Sequence, residues 1–177
     1  MVRRTTTTGL ASISAKLDND GLVDFYVTNF SDDSNTLYHN DGDGTFTDVT
    51  KKAGVSDVDG YYGMGIICSD FDENGLVDIF VANDSTPNFL YKNNGDGTFK
   101  EIGFPAGVAV NENGSEQGSM GVTLGDYDHD GRLDLFITNF DDDYNVLYHN
   151  DGKGSFTDVS YAANVAAVSL PFVGWGT

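Results

Sequence analysis

Two sequence blocks recur three times along this chain with a nearly constant spacing. An aspartate-rich block reads AKLDNDGLVDFYVTN at 15–29, SDFDENGLVDIFVAN at 69–83 and GDYDHDGRLDLFITN at 125–139, so that matching aspartates lie 54 and 56 residues apart. A second block, TLYHNDGDGTFTDVT in the first copy, follows each of these, and its matching phenylalanines lie 53 and 57 residues apart. Two blocks that keep one period over most of a chain indicate a repeat architecture, because chance resemblance rarely survives in both.

Each repeat predicts four short β-strands. In the third copy they lie near 120–126, 133–139, 145–150 and 155–160, in segments rich in β-branched and aromatic residues between Gly/Asp/Asn turns. None of these segments has a helical period long enough to compete. A four-stranded unit of about fifty residues, repeated radially, is typical of a β-propeller blade, so we predict an all-β propeller segment.

Both ends of the chain fall inside further copies of the pattern. The final GWGT matches GMGI and SMGV in the second and third copies, which places Trp175 in the slot of Met64 and Met120, and GLASISAK places Leu10 there. Closed propellers have roughly four to eight blades, so three blades predict a segment whose remaining blades are missing from this chain. The predicted partial propeller, residues 1–177, has units at roughly 9–55, 63–110 and 119–165, and the first strand of the next blade at 172–177.

The aspartate-rich loops have the pattern of a divalent cation site. Closely spaced carboxylates repel one another, and calcium, which takes six to eight oxygen ligands, would compensate that repulsion. We name these segments loop 1 (16–24), loop 2 (70–78) and loop 3 (126–134). The predicted ligands are the side chains at positions 1, 3, 5 and 9 and the carbonyl oxygen at position 7. They are Asp126, Asp128, Asp130, Asp134 and the Arg132 carbonyl in loop 3; Asp70, Asp72, Asn74, Asp78 and the Leu76 carbonyl in loop 2; and Asp18, Asp20, Asp24 and the Leu22 carbonyl in loop 1.

The three loops differ in charge, which predicts an order of calcium affinity. Loop 3 has four carboxylates, loop 2 has three and the neutral Asn74, and loop 1 has Lys16 in place of the first aspartate. We expect loop 3 to bind most tightly, loop 2 next, and loop 1 weakly or not at all. The alternative for a single loop is a solvated turn, but three matched copies favour metal. An EF-hand is excluded, because position 12 is Val81 or Ile137 rather than glutamate.

The chain shows no pattern typical of a catalytic site. His39, Lys92 and His149 share one repeat position, which predicts a polar strand position rather than a catalytic histidine. Cys68 aligns with Ser14 and Leu124 and is interpreted as an ordinary strand residue. No serine or cysteine has a paired base at a supporting distance in sequence, and no phosphate-loop pattern occurs. We therefore predict no enzymatic activity for this segment.

The hairpin segments and inter-blade segments carry weaker signals. The NDGDG stretch at 40–44 and its two counterparts are predicted to be turns rather than a second ion site. Acidic loops at 30–35 and 140–145 are expected to be solvated, with a basic partner as the alternative. Asn29, Asn83 and Asn113 begin NxS triplets, which matter only if a eukaryote secretes the chain. Inter-blade aromatic and proline residues favour packing over ligand contact: Tyr61, Tyr62, Phe104 and Pro105.

Overall charge excludes some partners. The chain has 9 Lys+Arg against 28 Asp+Glu, a formal charge of −19, which opposes binding to nucleic acid or to anionic membranes. No apolar run approaches the roughly 18 residues of a membrane helix, so we expect no membrane insertion, and the opening residues contain no secretory signal. Cation binding is favoured instead.

The DxDxDGxxDLFxTN and LYxNxGDGTFTDV blocks resemble FG-GAP/VCBS-type repeats, the calcium-loop blades also found in integrin α-subunit propellers. The stretch at 28–55, together with the downstream FVGWGT, is most similar to propellers of the cartilage acidic protein and ASPIC/UnbV-associated family; the ASPIC/UnbV segment is absent here. This resemblance implies a calcium-binding adhesion or scaffold module that recognises a protein or glycan in an extracellular, cell-surface or periplasmic location. The alternative is a non-catalytic fragment of a secreted propeller enzyme, such as a polysaccharide lyase.

Overall fold

A computed structural model of the chain describes residues 9–29, 34–57 and 60–176. Residues 1–8 of the predicted propeller, most of the acidic loop at 30–35, the side chain of Leu10 and Thr177 lie outside the described residues.

Within those ranges, the strands form three four-stranded antiparallel sheets, each built from strands consecutive in sequence. We call these sheets blades 1, 2 and 3. Blade 1 contains β1 (Gly9–Ala15), β2 (Asp24–Asn29), β3 (Thr36–Asn40) and β4 (Phe46–Asp48). Blade 2 contains β5 (Tyr62–Ser69), β6 (Asp78–Asp84), β7 (Phe89–Asn93) and β8 (Phe99–Glu101), and blade 3 contains β9 (Ser119–Gly125), β10 (Asp134–Asn139), β11 (Val146–Gly152) and β12 (Ser155–Asp158). The predicted all-β fold of three four-stranded blades is confirmed.

Helical structure in the described ranges is limited to three single turns. They are α1 (Thr50–Ala53), α2 (Gly103–Ala106) and α3 (Ala166–Ser169). The first two follow the last strand of their blade and end at a left-handed glycine, Gly54 or Gly107, which satisfies the carbonyl groups of the last turn. No helix in the part of the chain that the structure describes is long and apolar enough to cross a membrane.

The hydrophobic cores lie between the blades rather than within one sheet. In the middle blade, Ile79 and Val81 pack in the cluster shared with blade 1, while Phe80 and Ala82 pack in the cluster shared with blade 3. Because side chains alternate along a strand, β6 buries both of its faces, which accounts for the continuous apolar run IFVA at 79–82. Each large apolar side chain buried in this way contributes about 1.5–3 kcal/mol to stability.

The first strands of successive blades pack closely against one another, and glycine permits this approach. A Cβ atom at Gly65 would lie 3.0 Å from the carbonyl oxygen of Met120, and one at Gly121 would lie 2.9 Å from Cα of Gly176. The backbone N–H of Gly174 donates to the carbonyl oxygen of Asn139 (2.9 Å). Residues 172–176 contain no strand, so the first strand of a fourth blade stays a prediction.

Side chains on the outer faces of blades 1 and 3 are more exposed than the matching side chains between blades. Two sets of matched positions show the difference: the phenylalanines Phe46, Phe99 and Phe156 are 43%, 6% and 5% exposed, and Leu17, Phe71 and Tyr127 are 1%, 1% and 46% exposed. The buried members meet across an interior junction; Phe71 and Phe156, for example, pack edge to face at 5.9 Å. The array of described blades therefore exposes, on its two outer faces, residue positions that are covered at every interior junction.

Candidate metal centres

Loops 1, 2 and 3 occupy the same place in their blades, between the first and second strands. Each turns sharply through a left-handed glycine at position 6, and Gly21, Gly75 and Gly131 all have φ near +90°. Position 4 is also left-handed in each loop, although it is occupied by Asn19, Glu73 or His129. His129 lies exposed at the tip of loop 3.

A buried aspartate at position 9 closes each loop. Asp24, Asp78 and Asp134 are at most 3% exposed. One carboxylate oxygen accepts a hydrogen bond from the backbone N–H of position 2. The other accepts one from the backbone N–H of an asparagine in the third strand, which is Asn40, Asn93 or Asn150. The distances are 2.9 and 3.0 Å in loop 1, 3.1 and 2.8 Å in loop 2, and 3.1 and 2.8 Å in loop 3. These bonds hold the beginning and end of the loop against the hairpin.

The aspartate at position 1 organises loops 2 and 3 only. Asp70 accepts hydrogen bonds from the N–H groups of Asn74 (3.0 Å) and Gly75 (2.7 Å). Asp126 in loop 3 accepts the equivalent bonds, both at 3.1 Å. Lys16 cannot replace these acceptors. Its side chain is exposed, and it makes no ion pair within 4.0 Å among the described residues.

The carboxylates of loops 2 and 3 converge on one point in each loop. One oxygen each from Asp70, Asp72 and Asp78 lies within 4.8 Å of the others, and the same holds for Asp126, Asp128 and Asp134. The second oxygen of Asp72 is buried and makes no hydrogen bond, and its side chain is only 6% exposed. Converging oxygen donors with an unsatisfied buried acceptor fit a hard cation such as Ca²⁺. The predicted ligands at position 5 do not lie in these carboxylate clusters. Asp130 lies in a separate group with Asp128 and His149, and Asp20 lies outside the group formed in loop 1.

Burial and charge repulsion both raise the pKa of Asp78 in loop 2. Burial raises the pKa of Asp78 to about 6, against the lowering effect of its two backbone hydrogen bonds, and the negative charges of Asp72 and Asp70 raise it further. A bound cation would offset both effects.

The repeat position of His39, Lys92 and His149 lies in the third strand of each blade, as predicted, and it also faces the aspartates of the loop. His39 Nδ1 lies 2.8 Å from Asp18 and 3.5 Å from Asp24, and His149 Nδ1 lies 3.4 Å from both Asp128 and Asp134. In blade 2 the ammonium of Lys92 forms an ion pair with Asp72, whose carboxylate raises the pKa of Lys92. This position therefore places a nitrogen-bearing side chain beside each acidic loop, a contact that the sequence analysis did not anticipate. The signal was available, because the residue directly precedes the asparagine that braces position 9.

The same asparagine also ties successive blades together. The side-chain amides of Asn93 and Asn150 donate to the carbonyl of position 8 in their own loop, at 2.9 and 3.1 Å. They donate as well to the position 2 carbonyl of the preceding blade, Leu17 (2.8 Å) and Phe71 (3.3 Å). Each interior hairpin is thus bonded to the metal loop before it, a contact that the sequence analysis did not anticipate.

Other sequence candidates have ordinary structural roles. In the 40–44 turn, the hydroxyl and N–H of Thr45 donate to Asp43 and hold the pKa of that carboxyl low. Cys68 lies in β5, and burial raises the pKa of its thiol to about 12, which leaves it poorly nucleophilic. Tyr61 packs against Phe89 at 4.9 Å, whereas Phe104 is 63% exposed.

The three NxS triplets differ in accessibility. Asn29 and Asn83 are buried, and their side-chain amides donate to the carbonyls of Ser34 (2.6 Å) and Pro87 (2.7 Å). Asn113 is exposed in a turn. Among the three, Asn113 alone presents its amide to solvent.

Three stretches of the chain match a known repeat family, in agreement with the three repeated blades. The FG-GAP-like repeat profile matches residues 16–81, 70–137 and 126–174. Cartilage acidic protein 1 from Homo sapiens is 34% identical over 115 residues, which cover 64% of this chain and 16% of the relative. The Mus musculus protein of the same name is 32% identical over 115 residues, covering 64% and 17%. The chain thus spans about one sixth of the length of these curated relatives.

A solved structure also resembles the chain. It belongs to work on recognition of non-reducing terminal N-acetylglucosamine by an Agrocybe aegerita lectin. It is 22% identical, with a TM-score of 0.44 over 82% of this chain and 36% of that one.

Proposed function

The chain belongs to the FG-GAP-like repeat family, and from that premise we propose that it is a calcium-stabilised binding or scaffold module of an extracellular protein. Loops 2 and 3 each hold one calcium ion. The ions stiffen the edges of the blades, and the face that carries loops 2 and 3 presents a surface to a protein or glycan partner.

The observation that carries this proposal is the convergence of three carboxylates in loops 2 and 3 around a buried, doubly braced position 9. A divalent cation supplies the positive charge that such a cluster lacks. Since an unfolded chain does not hold these oxygens together, the binding free energy adds to folding stability. Calcium at 100 times its dissociation constant would stabilise each loop by about 2.7 kcal/mol.

The proposed location follows from calcium chemistry and from the names of the relatives. Extracellular calcium modules bind in the range of about 0.1–1 mM, a concentration maintained outside cells or in the periplasm. The relatives are named for cartilage. The net charge of −19 disfavours a nucleic-acid partner and favours a protein or glycan surface.

Titration calorimetry on the full chain tests the ligand assignment. We expect wild type to bind two calcium ions, with Asp126→Ala removing the tighter site and Lys16→Asp creating or strengthening a site in loop 1. Asp43→Ala is the matched control, because it removes an exposed carboxylate whose hydrogen bonds lie in a hairpin turn. If Asp126→Ala leaves calcium binding intact, or if Lys16→Asp changes neither stoichiometry nor affinity, the assignment is wrong.

A further inference from the structure

Loop 1 lacks the first calcium ligand but brings a nitrogen donor to its two remaining inward carboxylates. His39 Nδ1, an oxygen of Asp18 and an oxygen of Asp24 all lie within 4.8 Å of one another. We propose that Asp18, Asp24 and His39 form a site for a first-row transition metal ion such as Zn²⁺, separate from the calcium chemistry of loops 2 and 3.

The three side chains are held in place by the fold. Asp24 is 1% exposed, and its two oxygens are fixed by the backbone N–H groups of Leu17 and Asn40. Asp18 turns one oxygen to the N–H of Asp20 (3.1 Å), which leaves the other oxygen beside His39. The imidazole projects from β3, one residue before Asn40. The donors are therefore positioned before any ion binds.

The imidazole nitrogen is not satisfied by these neighbours. His39 Nδ1 is buried and makes no hydrogen bond of acceptable geometry, although it lies 2.8 Å from Asp18 and 3.5 Å from Asp24. Ligands about 2.1 Å from a tetrahedral zinc ion lie roughly 3.4 Å apart. The separation of His39 Nδ1 from Asp24 (3.5 Å) matches this spacing, and its separation from Asp18 (2.8 Å) is shorter. An imidazole nitrogen and two carboxylates that converge in this way fit a shared metal ion.

The donor set selects the class of metal. Calcium takes oxygen ligands and gains little from imidazole, whereas zinc and its neighbours in the first row bind imidazole readily. Lys16 at position 1 removes one oxygen that calcium would use. Lys92 replaces the histidine in blade 2, so loop 2 offers oxygen donors together with an ammonium instead of a nitrogen ligand.

The site also leaves room for further ligands. It opens into a cleft of about 220 Å³ between blades 1 and 2, lined by Lys52 and Asp96 among others. Asp96 is already bonded to Thr98 (2.6 and 3.0 Å), so its carboxylate belongs to the hairpin turn. Three protein ligands with an open side resemble the coordination of zinc sites that keep a position for water or a ligand.

Zn²⁺ calorimetry and Co²⁺ visible spectroscopy on the full chain, in calcium-saturated buffer, test the proposal. We expect one Zn²⁺ per chain and a Co²⁺ spectrum of mixed nitrogen and oxygen ligation. His39→Lys, which copies blade 2, should lower Zn²⁺ affinity at least about tenfold and remove the Co²⁺ band. His129→Lys is the control, because it removes an exposed histidine at the tip of loop 3 and should change neither readout.

A second variant keeps the test independent of misfolding. In calcium-free buffer, Lys92→His should add one Co²⁺ site, because it places an imidazole beside Asp72 and Asp78. The proposal is overturned if wild type binds no Zn²⁺ under calcium saturation, if His39→Lys binds as wild type does, if His129→Lys loses the site, or if Lys92→His adds none. Calcium binding by loops 2 and 3 is measured separately, so failure of either proposal leaves the other standing.

Discussion

The bond between the Asn93 side chain and the Leu17 carbonyl predicts a specific difference between two matched substitutions. Asn93 is 1% exposed, and its amide donates to Leu17 in blade 1 (2.8 Å) and to Val77 in its own blade (2.9 Å). Its side-chain oxygen accepts the N–H of Gly95 (2.9 Å). Asn40 makes the same two bonds within blade 1, to Val23 and from Gly42, both at 3.0 Å, and no inter-blade bond among the described residues.

The magnitude follows from this comparison. Losing the two shared bonds costs about 1–3 kcal/mol in either variant, since a typical hydrogen bond contributes about 0.5–1.5 kcal/mol. Asn93→Ala also leaves the buried carbonyl of Leu17 unsatisfied, which costs about 1–3 kcal/mol more. We therefore expect Asn93→Ala to be less stable than Asn40→Ala by about 2 kcal/mol, or about 4–8 °C in melting temperature.

Urea unfolding of both variants, without calcium, measures the difference. The midpoint should fall further for Asn93→Ala, with an unchanged m-value if the unfolded state is unaffected. Asn150→Ala, whose inter-blade bond is longer at 3.3 Å, should fall between the two. Equal destabilisation of Asn40→Ala and Asn93→Ala would refute the idea that this bond stabilises the junction.

Four further outcomes are expected. Lys92→Gln should raise calcium affinity in loop 2 about threefold or more by calorimetry, because an ammonium no longer competes for Asp72; an unchanged or lower affinity would contradict this. Because Asp78 has a pKa of about 6 without metal, calcium must displace its proton at lower pH. The calcium affinity of loop 2 should therefore fall by about tenfold per pH unit below 6, with protons released on binding, and an affinity that stays constant from pH 5 to 7 would contradict this. With a thiol pKa of about 12, Cys68 should react slowly with iodoacetamide at pH 8 and rapidly in urea, and equal rates would show that it is accessible. The isolated chain should associate or be marginally stable, with Phe46→Ser and Tyr127→Ser reducing association in sedimentation velocity, and a highly stable wild-type monomer would count against exposed blade faces.

The features that depend on local sequence were predictable. The repeat spacing, the apolar run of β6 and the glycine at position 6 each determine structure within a few residues, so the blades and the loops followed from pattern alone. The aspartate clusters of loops 2 and 3 followed for the same reason.

Contacts between elements were less accessible to sequence reasoning. Lys92 meets Asp72 across 20 residues, because β7 lies beside loop 2 within blade 2. Asn93 meets Leu17 across 76 residues, because blade 2 packs on blade 1. Lys16 is a further example: its place in the motif showed that loop 1 lacks a first carboxylate, and only the structure shows that its side chain is exposed. Pattern identified which residues are charged, but only the packing shows which charges meet.

The inter-blade asparagine bond gives the array a direction. At each interior junction the later blade supplies the donor and the earlier blade supplies the acceptor, on the strand-to-strand loop that carries the carboxylates. Blades joined in this way resemble monomers of a polymer that add in one orientation. When gene duplication or deletion adds or removes a whole unit, the new junction forms the same asparagine-to-carbonyl bond. A breakpoint between a loop and its own hairpin instead separates the aspartate at position 9 from the asparagine that bonds to it. Such arrays are therefore expected to change length in complete units during evolution.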